Sequence, residues 1–152
     1  MELDFYPWLK ALHILLAIVA VGANITYGFW QVRAAREPQH LGYVLRTIKF
    51  LDDRVANPAY GGLFILGVVL VLIGPYEFTT TWVAISIGLF LVMGGLTLVI
   101  YTPMQRRQIA VYESAGPQSP EFAELSNRMR TIGIVLAVLV VVIVFLMVVK
   151  PG

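Results

Sequence analysis

Four long stretches of the chain contain no Asp, Glu, Lys or Arg. They are 22, 22, 28 and 19 residues long and lie between Lys10 and Arg33, Arg54 and Glu77, Glu77 and Arg106, and Arg130 and Lys150. A helix needs about 20 mostly apolar residues to cross a hydrocarbon core of about 30 Å. The pattern therefore predicts an all-α, polytopic membrane protein, a four-helix transmembrane bundle in a single domain over residues 1–152. The predicted spans are Trp8–Trp30, Pro58–Ile73, Thr81–Tyr101 and Thr131–Val149.

Composition supports the membrane assignment and excludes several other classes. The chain is 59% apolar and 13% charged, whereas soluble domains have about 45–50% and about 25%. A soluble enzyme and a disordered tail are therefore excluded. The absence of cysteine excludes a disulfide scaffold, and a net charge of +2 is too small to indicate nucleic acid. The lipid bilayer is the first predicted partner.

Basic residues are distributed unevenly between the two sides of the predicted bundle. Nine of the eleven lie in the segments between spans one and two and between spans three and four, and only Lys10 and Lys150 lie elsewhere. Short cytoplasmic loops carry the excess of Lys and Arg. The count predicts that both termini are extracytoplasmic and that the two basic segments face the cytoplasm.

The segment before span two has helical periodicity of its own. Its apolar positions recur at steps of three and four, as on one helix face: Leu41, Val44, Leu45, Ile48, Leu51 and Val55. This predicts an amphipathic cytoplasmic helix between helices 1 and 2, lying at the membrane interface. Alternatively, the segment runs straight into span two. In the second basic segment, Ser119 and Pro120 are typical of a helix start, so the last helix is predicted to begin there and continue through span four.

Apart from Lys10, two residues from the start of span one, no predicted span contains an Asp, Glu, Lys or Arg. Proton pumps and ion-coupled transporters need ionisable groups at depth, so this pattern argues against both. The sequence also contains no HExxH pair and no GxxxxGK[ST] loop. We therefore predict no catalytic residues and no enzymatic role.

Span one carries a stripe of small and polar residues. His13, Ala17, Ala20, Asn24 and Gly28 follow one another at steps of four, three, four and four, on one narrow face. Small side chains allow the close approach of another helix or of a flat ligand. The stripe therefore predicts either a helix-packing face or a shallow ligand groove.

His13 is the chemically distinctive residue of this stripe. A neutral imidazole can bind haem iron through one nitrogen while the other donates to a backbone carbonyl. On this hypothesis His13 is the metal ligand, and Ala17 and Ala20 lie against a haem b. The second axial ligand is then His13 of another subunit, Met93 or absent. Alternatively, His13 makes a polar contact with a neighbouring helix.

The segment Tyr6-Pro-Trp-Leu-Lys-Ala-Leu-His13-Ile-Leu resembles the N-terminus of HemJ-type protoporphyrinogen oxidases. That family's Trp-x-Lys-Ala-Leu-His run carries an axial haem ligand. The first helix also resembles the CopD group of copper-resistance membrane proteins. In its length and in the placement of Trp82 and Arg106-Arg107, the chain is similar to a family of bacterial integral membrane proteins of unknown function. These resemblances imply a bacterial inner-membrane location and a candidate haem ligand at His13.

The chain also departs from the HemJ pattern. That family has an intramembrane Lys and a further His in its third helix, and Thr81–Tyr101 has neither. Phe29 stands where the family has an Arg near the end of helix one. Only the histidine carries over, and the oxidase activity does not.

Three hypotheses for function follow. The first is a small membrane protein that binds b-type haem through His13. The second is a non-catalytic subunit or assembly partner of a larger membrane complex. The third is a transporter or channel half completed by oligomerisation. Further membrane chains, either copies of this chain or other subunits, are also predicted as partners.

The orientation can be tested by cysteine labelling in intact cells. Single cysteines at Gln39 and Gln118 are expected to be shielded from an impermeant thiol reagent, because both basic segments are predicted to be cytoplasmic. A cysteine at Phe78, in the short loop between spans two and three, is expected to react. The reverse labelling pattern would show that the predicted orientation is inverted.

Overall fold

The computed structural model of the chain describes residues 4–151, which form helices joined by short connections. Residues 1–3 and 152 of the expected domain lie outside the described residues. The elements are α1 (Tyr6–Ala35), α2 (Pro38–Leu51), a first π-helical turn (Asp52–Ala56), α3 (Asn57–Ile73), α4 (Thr81–Gly95), a second π-helical turn (Leu96–Tyr101), α5 (Thr102–Ala115) and α6 (Pro120–Val149).

These elements join into four long helices over 6–35, 38–73, 81–115 and 120–149. Each is long and apolar enough to cross a membrane. The prediction of an all-α bundle of four long apolar helices is therefore confirmed. The second helix has 36 residues, which at 1.5 Å per residue is about 54 Å. It is much longer than a bilayer core.

Both π-helical turns lie just before a proline. The first ends at Ala56, two residues before Pro58, and the second at Tyr101, two residues before Pro103. A proline inside a helix lacks an N–H, and its ring clashes with the carbonyl four residues earlier. A π-helical turn widens the helix locally and accommodates that ring. The two helices therefore continue through their prolines.

This continuity corrects the prediction of a separate amphipathic helix between helices 1 and 2. Only Arg36 and Glu37 separate α1 from α2, and residues 41–55 belong to the second long helix. The physical reason is that Pro58 does not end the helix, since the first π-helical turn absorbs it. The alternative, a segment that runs straight into span two, describes the fold.

The periodic apolar face of α2 packs into a core at one end of the molecule. The end of α1, α2, α5 and the first turns of α6 form this region, which we call the basic head because the two arginine-rich segments build it. Its buried residues are Ala34, Leu41, Leu45, Val111, Phe122 and Leu125. Ser119 starts α6 as its N-cap, with its Oγ accepting from the Phe122 N–H at 3.2 Å. The head is a packed unit with a core of its own.

A second, smaller core lies along the apolar part of the bundle. Ala20 of α1 packs against Ala59 and Leu63 of α3. In the other half of the bundle α4 packs on α6. Phe90 of α4 bridges the halves, with its ring centroid 6.3 Å from that of Tyr60 and 5.7 Å from that of Phe64.

The opposite end of the molecule, which we call the terminal end, is tied together by aromatic residues. Lys150 donates from Nζ to the Tyr76 hydroxyl at 2.9 Å and lies 5.6 Å from the Trp82 ring centroid. The Tyr76 and Trp82 rings meet edge to face at 4.9 Å. These contacts join the end of α6 to the start of α4.

The packing of the head predicts that Gly42 cannot be enlarged. A Cβ there would collide with the Tyr112 ring. Gly42→Leu is expected to destabilise the protein by about 1–3 kcal/mol, as overpacking does. Gly28→Leu is the matched control, because nothing lies within 4 Å of a Cβ at that position. Thermal unfolding in detergent measures both, and equal melting temperatures would contradict the packing of α2 on α5.

Candidate functional site

The most unusual polar group of the bundle lies at the first π-helical turn. Asp52 begins this turn and is only 5% exposed. One of its carboxylate oxygens, Oδ2, is buried and has no hydrogen-bond partner among the described residues. Burying a carboxylate without a partner is costly. A buried polar group left in this state needs an explanation.

Three tyrosines from three different elements lie within electrostatic reach of this carboxylate. Tyr27 of α1, Tyr60 of α3 and Tyr101 of the second π-helical turn all interact electrostatically with Asp52. We call these four residues the Asp52 cluster. Tyr27 is 6% exposed, and its hydroxyl also has no hydrogen-bond partner among the described residues.

Amide side chains of α1 hold two of the tyrosines in place. Asn24 donates from Nδ2 to the Tyr60 hydroxyl at 2.8 Å. One helical turn beyond Tyr27, the side chain of Gln31 approaches the Tyr101 hydroxyl. The polar face of α1 therefore reaches both α3 and the second π-helical turn.

The charges near Asp52 leave its carboxylate without a cation of its own. Lys49, one turn earlier, forms its ion pair with Asp53. Asp52 lies outside the predicted membrane span Pro58–Ile73, six residues before it begins. Burial, together with the neighbouring Asp53 carboxylate, raises its pKa to about 6, and Lys49 acts in the opposite direction. The surroundings of Asp52 therefore favour the neutral acid more than water does.

His13 lies in a different part of the bundle, 14 residues before Tyr27 on α1, or about 21 Å along the helix. It is half-buried, and its buried Nδ1 atom has no hydrogen-bond partner among the described residues. The ring lies beside the Leu63 backbone of α3. It also lies over Gly67, where an added Cβ would come within 3.3 Å of the His13 Cε1 atom.

The remaining predicted site residues pack against α3. Ala20 is fully buried against Ala59 and Leu63, and Ala17 packs at the edge of the same core. A macrocycle could lie on Ala17 and Ala20 only if α1 and α3 separated. In this packing Ala20 is covered by α3, whereas Ala17 is half-buried at the edge of the contact.

Within the described part of the chain no three His, Cys, Asp or Glu side chains come together. His40, the second histidine, lies in the first turn of α2, 3.9 Å from Glu37. Met93, the other candidate axial ligand, is buried on α4. An iron at His13 would therefore need a second ligand from another helix or another subunit, or an open position.

Sequence reasoning missed the Asp52 cluster. Asp52 lies outside the charge-free runs and was not among the predicted site residues. It is the buried member of the pair that it forms with the exposed Asp53. One signal was present in the sequence. Asp52 falls four residues after Ile48, on the buried face of the helix, and so could have been identified as buried.

Four apolar helices with a polar cluster at their boundary define a multi-pass integral membrane protein. A family model described as a predicted integral membrane protein, DUF2269, matches residues 7–151, and the chain belongs to this family. No curated protein matches the chain, and no solved structure does either. The comparisons give no support to the resemblances to HemJ-type oxidases and the CopD group.

Proposed function

We propose that the chain works as a non-catalytic subunit or assembly partner of a larger membrane complex, which it binds through the basic head. The observation that carries this proposal is the head itself. Its core of six buried apolar residues is separate from the core within the apolar bundle. Anchoring in a bilayer requires only the membrane-spanning segments. The additional packed core of the basic head therefore supports a role as a rigid surface for binding a partner.

The outer face of the head has residues suited to a protein interface. Tyr43 and Phe50 of α2 are 70% and 61% exposed, and their spacing of seven residues places them on one helix face. Aromatic side chains are enriched at the centres of protein interfaces. Arg46 pairs with Glu113 at 3.3 Å and Arg107 with Glu121 at 2.7 Å. These exposed ion pairs add little stability, but they hold α2, α5 and α6 in register.

The double variant Tyr43→Ser, Phe50→Ser tests this proposal. Membranes are extracted in a mild detergent, and the complex is sized by native electrophoresis with mass spectrometry of its components. The wild-type chain is expected to migrate with other membrane subunits and the double variant alone, because the two rings supply the apolar contact. Asn127→Ser, an exposed change elsewhere on the head, is the control and keeps the complex.

Other outcomes distinguish the alternatives. If the wild-type band contains only copies of this chain, the partner is a second copy of the chain and not a different subunit. A wild-type chain that migrates as a monomer, or a double variant that keeps every component, would contradict docking through the head.

The proposed orientation places the head in the cytoplasm of a bacterial cell, with both termini across the inner membrane. It is supported by the nine basic residues on the head side against two elsewhere. Such an excess also attracts anionic headgroups of the cytoplasmic leaflet. The partner of the head is then a cytoplasmic domain or loop.

The second candidate function is binding of haem b through His13. It is favoured by the burial of Nδ1 toward Gly67 of α3, which leaves Nε2 as the nitrogen that would bind iron. An imidazole ligand would fix the iron and tune its redox potential. Because α3 covers Ala17 and Ala20, the haem would lie on the outer face of α1, and its second ligand would come from another subunit.

The visible spectrum of protein produced with ample haem tests this candidate. A Soret band is expected in the wild type and absent in His13→Ala. Asn24→Ala is the matched control: it keeps the band and loses about 1 kcal/mol of stability with the Tyr60 hydrogen bond. A colourless wild-type protein would leave His13 as a packing residue against Gly67.

A further inference from the structure

Two helices bring two buried, unpartnered polar side chains to one place. Asp52 and Tyr27 are each more than nine-tenths buried, and the Asp52 Oδ2 and the Tyr27 hydroxyl both have no hydrogen-bond partner among the described residues. A buried carboxylate is stable when a cation pairs with it or when it is neutral. The groups around Asp52 decide between these two states.

The elements α1, α2 and α3 pack against the first π-helical turn. The turn itself carries Asp53 and Arg54 beside Asp52, and α2 supplies Lys49, which pairs with Asp53. The charges that act on the Asp52 carboxyl are those of Asp53 and Lys49, and the tyrosine hydroxyls of the Asp52 cluster are neutral. The Lys49 ammonium is paired with Asp53, the more exposed of the two carboxylates.

We propose that Asp52 binds and releases a proton, and that it forms with Tyr27 a proton-exchange site at the boundary between the basic head and the apolar bundle. Water at the head delivers the proton, which forms an O–H bond on the carboxylate. The neutral carboxyl donates a hydrogen bond to a tyrosine oxygen, and the ionised carboxylate accepts one from a tyrosine O–H. The hydroxyls thus serve both states.

The direction of the pH dependence follows from the environment of Asp52. Its pKa is raised to about 6 in the folded protein, above the ordinary value of about 3.9. The folded state therefore binds the proton more tightly than the unfolded chain. This contribution to stability is fully present below the ordinary pKa and is lost as pH rises through about 6.

The experiment measures thermal unfolding of the full chain in detergent from pH 4 to pH 8, for the wild type and for Asp52→Asn. Asparagine keeps the shape of the neutral acid and cannot ionise. The melting temperatures of the two proteins are expected to agree near pH 4. At pH 8 the variant should melt higher by an amount on the order of 5 °C. Glu124→Gln is the control, because its exposed carboxylate on α6 should give no rise of this kind.

The comparison with Asp52→Asn cancels the titration of the other carboxylates, which both proteins share. A difference between the two proteins that stays constant from pH 4 to pH 8 would overturn the proposal. Infrared difference spectra of the wild type between pH 8 and pH 5 give a second readout that needs no variant to fold. A protonated-carboxyl band is expected, and its absence would also overturn the proposal.

Tyr27→Phe tests the part of the proposal that concerns the tyrosine. Without the hydroxyl the ionised carboxylate loses a donor, so the midpoint of the carboxyl band should move to higher pH. An unchanged midpoint would exclude Tyr27 from the site. Neither result depends on whether the head binds a partner.

Discussion

A bilayer core contains no water to satisfy the backbone, so each spanning helix must satisfy its own N–H and C=O groups. Pro58 and Pro103 interrupt this backbone hydrogen bonding in the second and third long helices, because proline has no N–H group. Both helices respond in the same way, with a π-helical turn that widens the backbone before the proline. Because the helices do not break there, the residues on both sides of each proline belong to one continuous helix. The basic head exists because of this continuity.

Close approach of α1 and α3 is the second determinant of the fold. Ala20 and Ala59 meet in the core with Leu63, and small side chains are what allow helices in a membrane to pack closely. The same contact decides the surroundings of His13. Because α3 packs on the stripe of small residues of α1, the His13 imidazole lies against Gly67 of α3. Where the stripe contacts α3, it is a helix-packing face.

The number and nature of the long helices could be predicted from the sequence, because charge-free runs report directly on what a bilayer accepts. Whether residues 41–55 form a separate helix or the start of a longer one could not be predicted from the sequence. A period of 3.6 is the same for a helix on a membrane surface and for the start of a longer one, and the deciding factor was whether Pro58 ended the helix. The stripe containing Ala17 and Ala20 was predictable as a face, but the sequence did not identify what covers it.

Asp52 was not identified as a buried residue from the sequence either. Its position matters because it lies where the basic head and the apolar bundle are connected. It lies between Ile48, which is buried at the head, and Ala56, which is buried toward the bundle. The π-helical turn that it begins joins these two parts of one continuous helix. An ionised carboxylate there would favour water and tyrosine donors around the turn, whereas the neutral acid would favour dry packing. The proposed proton exchange would therefore take place where the helix passes from the basic head to the apolar bundle.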